Sequence, residues 1–225
     1  MKLSNETIEI LKNFSTINQS LLFKKGNVIS TISPLKTVLA VATIAESFPH
    51  EFAIYDLNKF LAKLSLYKGC ELAFDTDGVR FVSEDGKKSD RMRYCSPQVI
   101  VAPPEKKLTV GTPDCSFDIS HEDLEWQRKT AGISASPNFV FKSDGEKILL
   151  MSTDVKDDSS DVSKTEIGDG DGETKFEVVM KGENFKTMSG GYRVEIAKRG
   201  LAKFKHKEKE VEYFIAIEAA QSKFD

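Results

Sequence analysis

The chain repeats itself, and the repeat limits its fold more than any other feature. Residues 52–82 read FAIYDLNKFLAKLSLYKGCELAFDTDGVRFV, and residues 176–205 read FEVVMKGENFKTMSGGYRVEIAKRGLAKFK. Each runs strand, short helical segment, glycine turn, alternating strand, tight turn (Asp77-Gly78; Arg199-Gly200), strand. Corresponding points lie about 122–124 residues apart, a period of domain size rather than of a short solenoid repeat. The match extends upstream. Residues 4–14 (SNETIEILKNF) open with a capping serine and early acids, then apolar Ile8, Leu11 and Phe14. Residues 120–131 (SHEDLEWQRKTA) open alike, with Ser120 as cap, Asp123 as its capping-box partner, then Leu124. Short β-like runs follow each helix. The order helix, strands, helix, strands therefore occurs twice, which predicts an α+β fold of two similar domains, each with two helices backed by antiparallel sheets. Prolines 97, 103, 104 and 113 disfavour a central strand between the halves. The reading is a domain at 1–103, a linker at 104–113 and a domain at 114–225.

The 225 residues are 40% hydrophobic and 30% charged, a globular composition with a formal net charge of -3. Cys70, Cys95 and Cys115 form no CxxC, so neither a disulfide framework nor a zinc site is indicated. The start, MKLSNETIEILKNF, has no apolar h-region and is not expected to be a signal peptide. No apolar run approaches the roughly 20 residues of a membrane span, so no membrane partner is expected.

Catalysis needs convergent nucleophiles, bases or metal ligands. His50, His121 and His206 show no HxH or HExxH spacing; His121 and His206 read as exposed surface residues. No GxGxxG or GxxxxGK[ST] occurs. Trp126 on its helix reads as core. GDGDGE, near the end of the acidic stretch 154–173, lacks the glycine and glutamate positions of a calcium loop and reads as a solvated loop. The expectation is no enzyme, no cofactor and no metal.

The helix after Asp56 carries a basic face. Leu57, Phe60, Leu61 and Leu64 make its apolar stripe, Asp56 caps it, and Gly69 is read as its C′ glycine. Lys59 and Lys63 share a face, Lys68 closes the last turn, and no carboxylate within the helix pairs with them. The first helix adds Lys12, with Lys2 just before it. The third carries Arg128 and Lys129. A fourth helical segment near residues 183–188 adds Lys181 and Lys186. Acids sit mainly in first turns, where the helix dipole favours them. Lysine suits phosphate contact without base register, so four such helices on one side would suit a duplex backbone.

The run AIYDLN (residues 53–58), the opening MKLS with LKNF and TIN, the stretch FEVVMKGENFKTMSGGY and the closing YFIAIEA resemble the sliding clamps of T-even-type bacteriophages. The resemblance covers most of the chain. It implies a DNA polymerase processivity factor that encircles duplex DNA as a homotrimeric ring, helices inward and sheets outward, in the cytoplasm of the infected bacterial host. It implies that Lys2, Lys12, Lys59, Lys63, Lys68, Arg128, Lys129, Lys181 and Lys186 lie near DNA. Implied partners are the DNA polymerase, an ATP-dependent clamp loader and late-transcription factors. A partner's apolar tail would enter a pocket at Val38, Val99, Ile100, Val101, Pro103, Ile217, Ala219 and Ala220. Residues 91–95 and 161–166 are expected as the paired subunit edges. Two other classes remain: a phage DNA-binding or recombination accessory protein, which needs aromatic stacking platforms on a basic groove, and a virion structural protein. The phenylalanines, mostly alternating within strands, read as core instead.

Overall fold

The computed structural model describes residues 1–106 and 108–224 of the chain. Lys107, inside the expected linker, and Asp225, at the end of the tail, lie outside the described residues. Two compact units divide at Glu105 and Lys106. In the first, α1 (Asn5–Ile17) leads to β1 (Leu21–Phe23), β2 (Gly26–Ile32), β3 (Val38–Phe48) and β4 (Phe52–Ile54). Then come α2 (Leu57–Ser65), β5 (Glu71–Phe74), β6 (Gly78–Val82), β7 (Ser89–Arg93) and a 3-10 turn at Pro97–Val99. β1 pairs with β4, β2 with β3, and β5-β6-β7 form a meander. In the second unit β8 (Cys115–Ile119) precedes α3 (His121–Ile133), β9 (Asn138–Ser143), β10 (Lys147–Thr153), β11 (Ser163–Asp169) and β12 (Phe176–Lys181). A 3-10 turn at Gly182–Asn184 leads to β13 (Tyr192–Ala197), β14 (Leu201–His206), β15 (Val211–Ala216) and β16 (Lys223–Phe224). One sheet runs β11-β10-β9-β12-β16. β8, β13, β14 and β15 pair in the order β8-β13-β14-β15. The described pairings are antiparallel, so the fold is the expected α+β arrangement, with β13-β14-β15 repeating the β5-β6-β7 meander.

Alternation places the aromatic residues inside. Phe23, Phe48, Phe52, Phe60 and Phe81 pack in the first unit, with Phe23 stacked on Phe52 at 4.6 Å between centroids. Phe117, Phe139, Phe141, Phe185 and Phe204 pack in the second, joined by Tyr192 and Tyr213. None of the 15 phenylalanines is exposed; Phe74 and Phe224 are half-buried.

Four expectations are corrected. The fourth helical segment is one 3-10 turn, because Lys181 offers no capping side chain and Gly182 opens it. α2 stops at Ser65, with the Leu66 N–H bonded back to Lys63 O, so Lys68 and Gly69 belong to the following turn. Trp126 is 46% exposed rather than core, because α3 buries Leu124, Gln127 and Ala131 on its other side. His206 is buried, not a surface residue: Ala202, Phe204 and His206 alternate inward while Lys205 faces out. Its Nδ1 accepts from the N–H groups of Glu208 and Lys209, each at 3.1 Å, leaving Nε2 to donate to Ser189 O at 3.2 Å. A side chain at Gly190 would collide with that ring, which explains the second-unit glycine turn.

Candidate nucleic-acid interface

The helices that carry the basic residues are fixed at their N-termini by polar caps. Ser4 Oγ accepts from Thr7 N–H at 3.2 Å, Asp56 from Lys59 N–H at 2.8 Å, and Ser120 from Asp123 N–H at 3.1 Å. α1 has a further cap that sequence spacing could not show. Glu46, from β3, accepts from Ser4 N–H and, at 2.5 Å, from Thr7 Oγ1. Burial pushes the Glu46 carboxyl up, but hydrogen bonds from Thr7 and Ser4 outweigh it and hold the group below 4.5. A carboxyl depressed by folding stabilises above its unfolded value, and that contribution is lost as pH falls through the lower folded value. Glu46→Gln should therefore cost about 1–3 kcal/mol near pH 7. Thermal melts from pH 7 to pH 3 should show the gap to the parent narrowing below about pH 4.5; a constant gap would remove Glu46 from this role.

α1 and α2 pack together in the first unit. Lys2 and Lys12 stand at a groove of about 310 Å³ floored by Ile8, Leu61 and Leu64. Lys12, Lys59, Lys68 and Lys129 are exposed and make no ion pair among the described residues. The other candidates are engaged. Lys2 pairs with Glu84 at 3.1 Å, and Lys181 with Glu218 at 3.8 Å. Lys63 is bonded to Asp90 of β7, and its side chain is only 18% exposed. The Lys63 hydrogen bond, then the one from the Arg91 N–H, hold the Asp90 carboxyl below its usual range despite some burial, with the charges of Lys63 and Lys59 adding to them. Arg128 is a brace: it pairs with Glu125 at 2.9 Å, donates to Thr187 O at 2.9 Å and lies 5.3 Å over the Phe185 ring. Lys186 is half-buried beside the same segment. Tertiary partners such as Asp90 and Thr187 left no signal in helix spacing.

The expected pocket residues are unequally accessible. Val99 is 60% and Val101 39% exposed, and Asn18 Nδ2 holds Val101 O at 3.2 Å. Ile100 and Pro103 are half-buried, and Ala219 and Ala220 are exposed. Val38 and Ile217 are closed to solvent. The expected edges are met in part: among the described residues β7 pairs with β6 alone and β11 with β10 alone, but Cys95, at the end of the first edge, bonds through its N–H to Ala53 O at 3.0 Å, and residues 161 and 162 precede β11.

A family model described as DNA polymerase processivity factor matches residues 4–101, and one described as gp45 sliding clamp, C terminal, matches residues 116–219. The chain belongs to the sliding-clamp family. Among curated relatives, the sliding clamp of Vibrio phage KVP40 is 33% identical over 97% of this chain and 100% of its own length. The sliding clamp of Enterobacteria phage T4 is 30% identical over 97% of each. Solved clamps share the fold at low identity. A. fulgidus PCNA bound to the C-terminal region of FEN-1 superposes with a TM-score of 0.68 at 14% identity over 96% of each chain. The Helicobacter pylori β clamp bound to a DNA ligase peptide gives 0.71 at 12% identity; this clamp covers 96% of itself and 64% of that longer chain. Processivity factors of this family are accessory proteins rather than catalysts. No described helix of this clamp is long and apolar enough to cross a membrane.

Proposed function

We propose that three copies of this chain close into a ring around duplex DNA and tether the replicative polymerase to it, without reading sequence. Family membership over nearly the whole length carries this reading. Retention is topological, so the ring needs no tight grip: loose lysine–phosphate contacts let it slide, and the tether becomes effective polymerase concentration. Lys12, Lys59, Lys68 and Lys129, with Lys186, are the cations that would meet phosphate. Lys2, Lys63, Arg128 and Lys181 act first within the fold, through the ion pairs described above. Ring closure sets β7 of one copy against β11 of the next, a heterologous contact that closes by rotation. Residues 104–113 link the two domains. A partner's apolar tail docks at the residues the resemblance implies, Val99, Ile100, Val101, Pro103, Ala219 and Ala220 with Val38 and Ile217. An ATP-dependent loader opens the ring, late-transcription factors also bind it, and the work is done in the infected bacterial cell. A single-strand binder would need several exposed aromatic platforms on a basic groove; the phenylalanines are buried or half-buried, and the exposed aromatics among the described residues are Tyr55 and Trp126, one in each unit. Light scattering across a concentration series should give the mass of three chains. Single chains or dimers at every concentration would overturn the ring.

A further inference from the structure

The C-terminal segment covers one sheet edge, and covers it incompletely. β12 pairs with β9 along its whole length, from Phe176↔Ser143 to Lys181↔Asn138. On its other side it meets β16 through two pairs, Phe176↔Phe224 and Glu177↔Lys223. There the ladder breaks. The Val179 N–H donates to Ser222 Oγ at 3.0 Å, and Val179 O accepts from Glu218 N–H at 2.8 Å. Ser222 Oγ donates to Glu218 O at 3.0 Å, as does the Gln221 N–H at 2.9 Å. The tail is thus a tight turn followed by two residues of strand. Phe224 is half-buried opposite Phe176, whose ring lies stacked 5.9 Å from Phe117. Lys223 is opposite Glu177, which also pairs with Lys142 at 2.7 Å.

An unpaired edge is a template for another strand. A regular strand would give Val179 a main-chain carbonyl where the tail gives a hydroxyl, and would extend the ladder past Glu177. The tail competes because it is tethered, not because it fits better. We propose that the outer edge of β12 is an acceptor site for an extended peptide of a partner protein, and that β16 holds this site closed. The seated tail indicates the peptide's chemistry: antiparallel to β12, an aromatic residue facing Phe176, and a basic residue immediately before it facing Glu177. This inference rests on the tail and stands apart from the ring.

The test uses a fluorescent peptide with the sequence of residues 217–224, IEAAQSKF, followed by anisotropy. A chain ending at Gln221, checked for folding by circular dichroism, should bind it at least about tenfold more tightly than the full chain, since the tether no longer competes. Replacing the peptide's phenylalanine by alanine should abolish binding. If the shortened chain fails to fold, full-length Phe224→Ala takes its place with the same expectation. In the intact protein, hydrogen exchange at the Val179 amide should be at least about tenfold faster than at Val178, because the tail opens locally. No binding by a folded variant, or equal protection of the two amides, overturns the proposal. So does a rise in the variant's mass without peptide binding, which would give the edge to a second copy.

Discussion

Replacing Arg91 by proline is expected to turn the proposed ring into single chains that remain folded. β7 is bonded to β6 on one side, and among the described residues its other side is open. The Arg91 N–H donates to the Asp90 carboxylate at 2.7 Å, outside the β6 ladder. Proline there removes a donor the meander does not use, and edge strands tolerate it. The lost ion pair with Asp77 is exposed, and such pairs contribute little. Between copies the consequence is larger. A strand docking on β7 would leave an acceptor unsatisfied at each contact, at about 1–3 kcal/mol apiece, and ring closure repeats the loss at every interface. Light scattering should show the mass of one chain over concentrations at which the parent stays assembled, and polymerase stimulation should fall to the level without clamp. A thermal midpoint within a few degrees of the parent would show that the chain is intact. An assembled, stimulating Arg91→Pro protein would place the subunit contact elsewhere.

What could be read from the sequence was whatever local spacing controls. The offset between 52–82 and 176–205 reports a duplicated β-meander, and periodicity at Ile8, Leu11 and Phe14 or at Leu57, Phe60, Leu61 and Leu64 reports the helix face toward the core, although Ile8 and Leu61 stay half-buried and Ile10, outside that reading, is buried. Ser4, Asp56 and Ser120 all cap as their positions suggest, because capping bonds span two or three residues. Long-range pairing is different. Nothing near Lys63 announces Asp90, twenty-seven residues on, and nothing near Arg128 announces Thr187. The fourth basic segment looked helical from its duplicate, yet Gly182 and the missing cap outweigh that analogy. The basic run around His206 suggested a solvated surface, while the period-2 rule applied from Ala202 onward turns that imidazole inward. The tail AAQSKFD is small and polar apart from Phe224, which argues against a core element, and only the open edge of β12 makes a strand of residues 223 and 224. The site is therefore less legible than the fold: charge type is visible in sequence, but whether a charge is spent inside the chain is not.

That distinction decides which lysines to reverse. The face shared by Lys59 and Lys63 invites changing both to glutamate, with folding expected to survive. The structure alters that expectation, because Lys63→Glu would replace the ion pair with Asp90 by two carboxylates at a partly exposed position. A loss of activity would then reflect damage to the β6–β7 edge as much as a lost DNA contact. Lys12, Lys59 and Lys129 are exposed without ion pairs among the described residues, so reversing them breaks no direct pair; only Lys59 also adds, through space, to the field on Asp90. Lys12→Glu, Lys59→Glu and Lys129→Glu combined should leave the melting temperature and assembled mass close to the parent's. The combination replaces three positive charges by three negative ones in each chain. In a three-chain ring the change repeats in every copy, and attraction for the duplex backbone becomes repulsion near the helices. Processive synthesis on primed circular DNA, with loader and polymerase present, should fall about tenfold or more, since reversing three cations in each chain, at up to about 1 kcal/mol apiece, exceeds the roughly 1.4 kcal/mol that a tenfold change needs. The parent's stimulation should decline as salt shortens the Debye length from about 10 Å at 0.1 M. The variant's smaller residual activity should change less steeply with salt, because fewer counterions are exchanged on contact. Undiminished synthesis by an assembled triple variant at every salt concentration would mean that these lysines do not face DNA. Lost assembly would instead show that one of them belongs to the subunit contact.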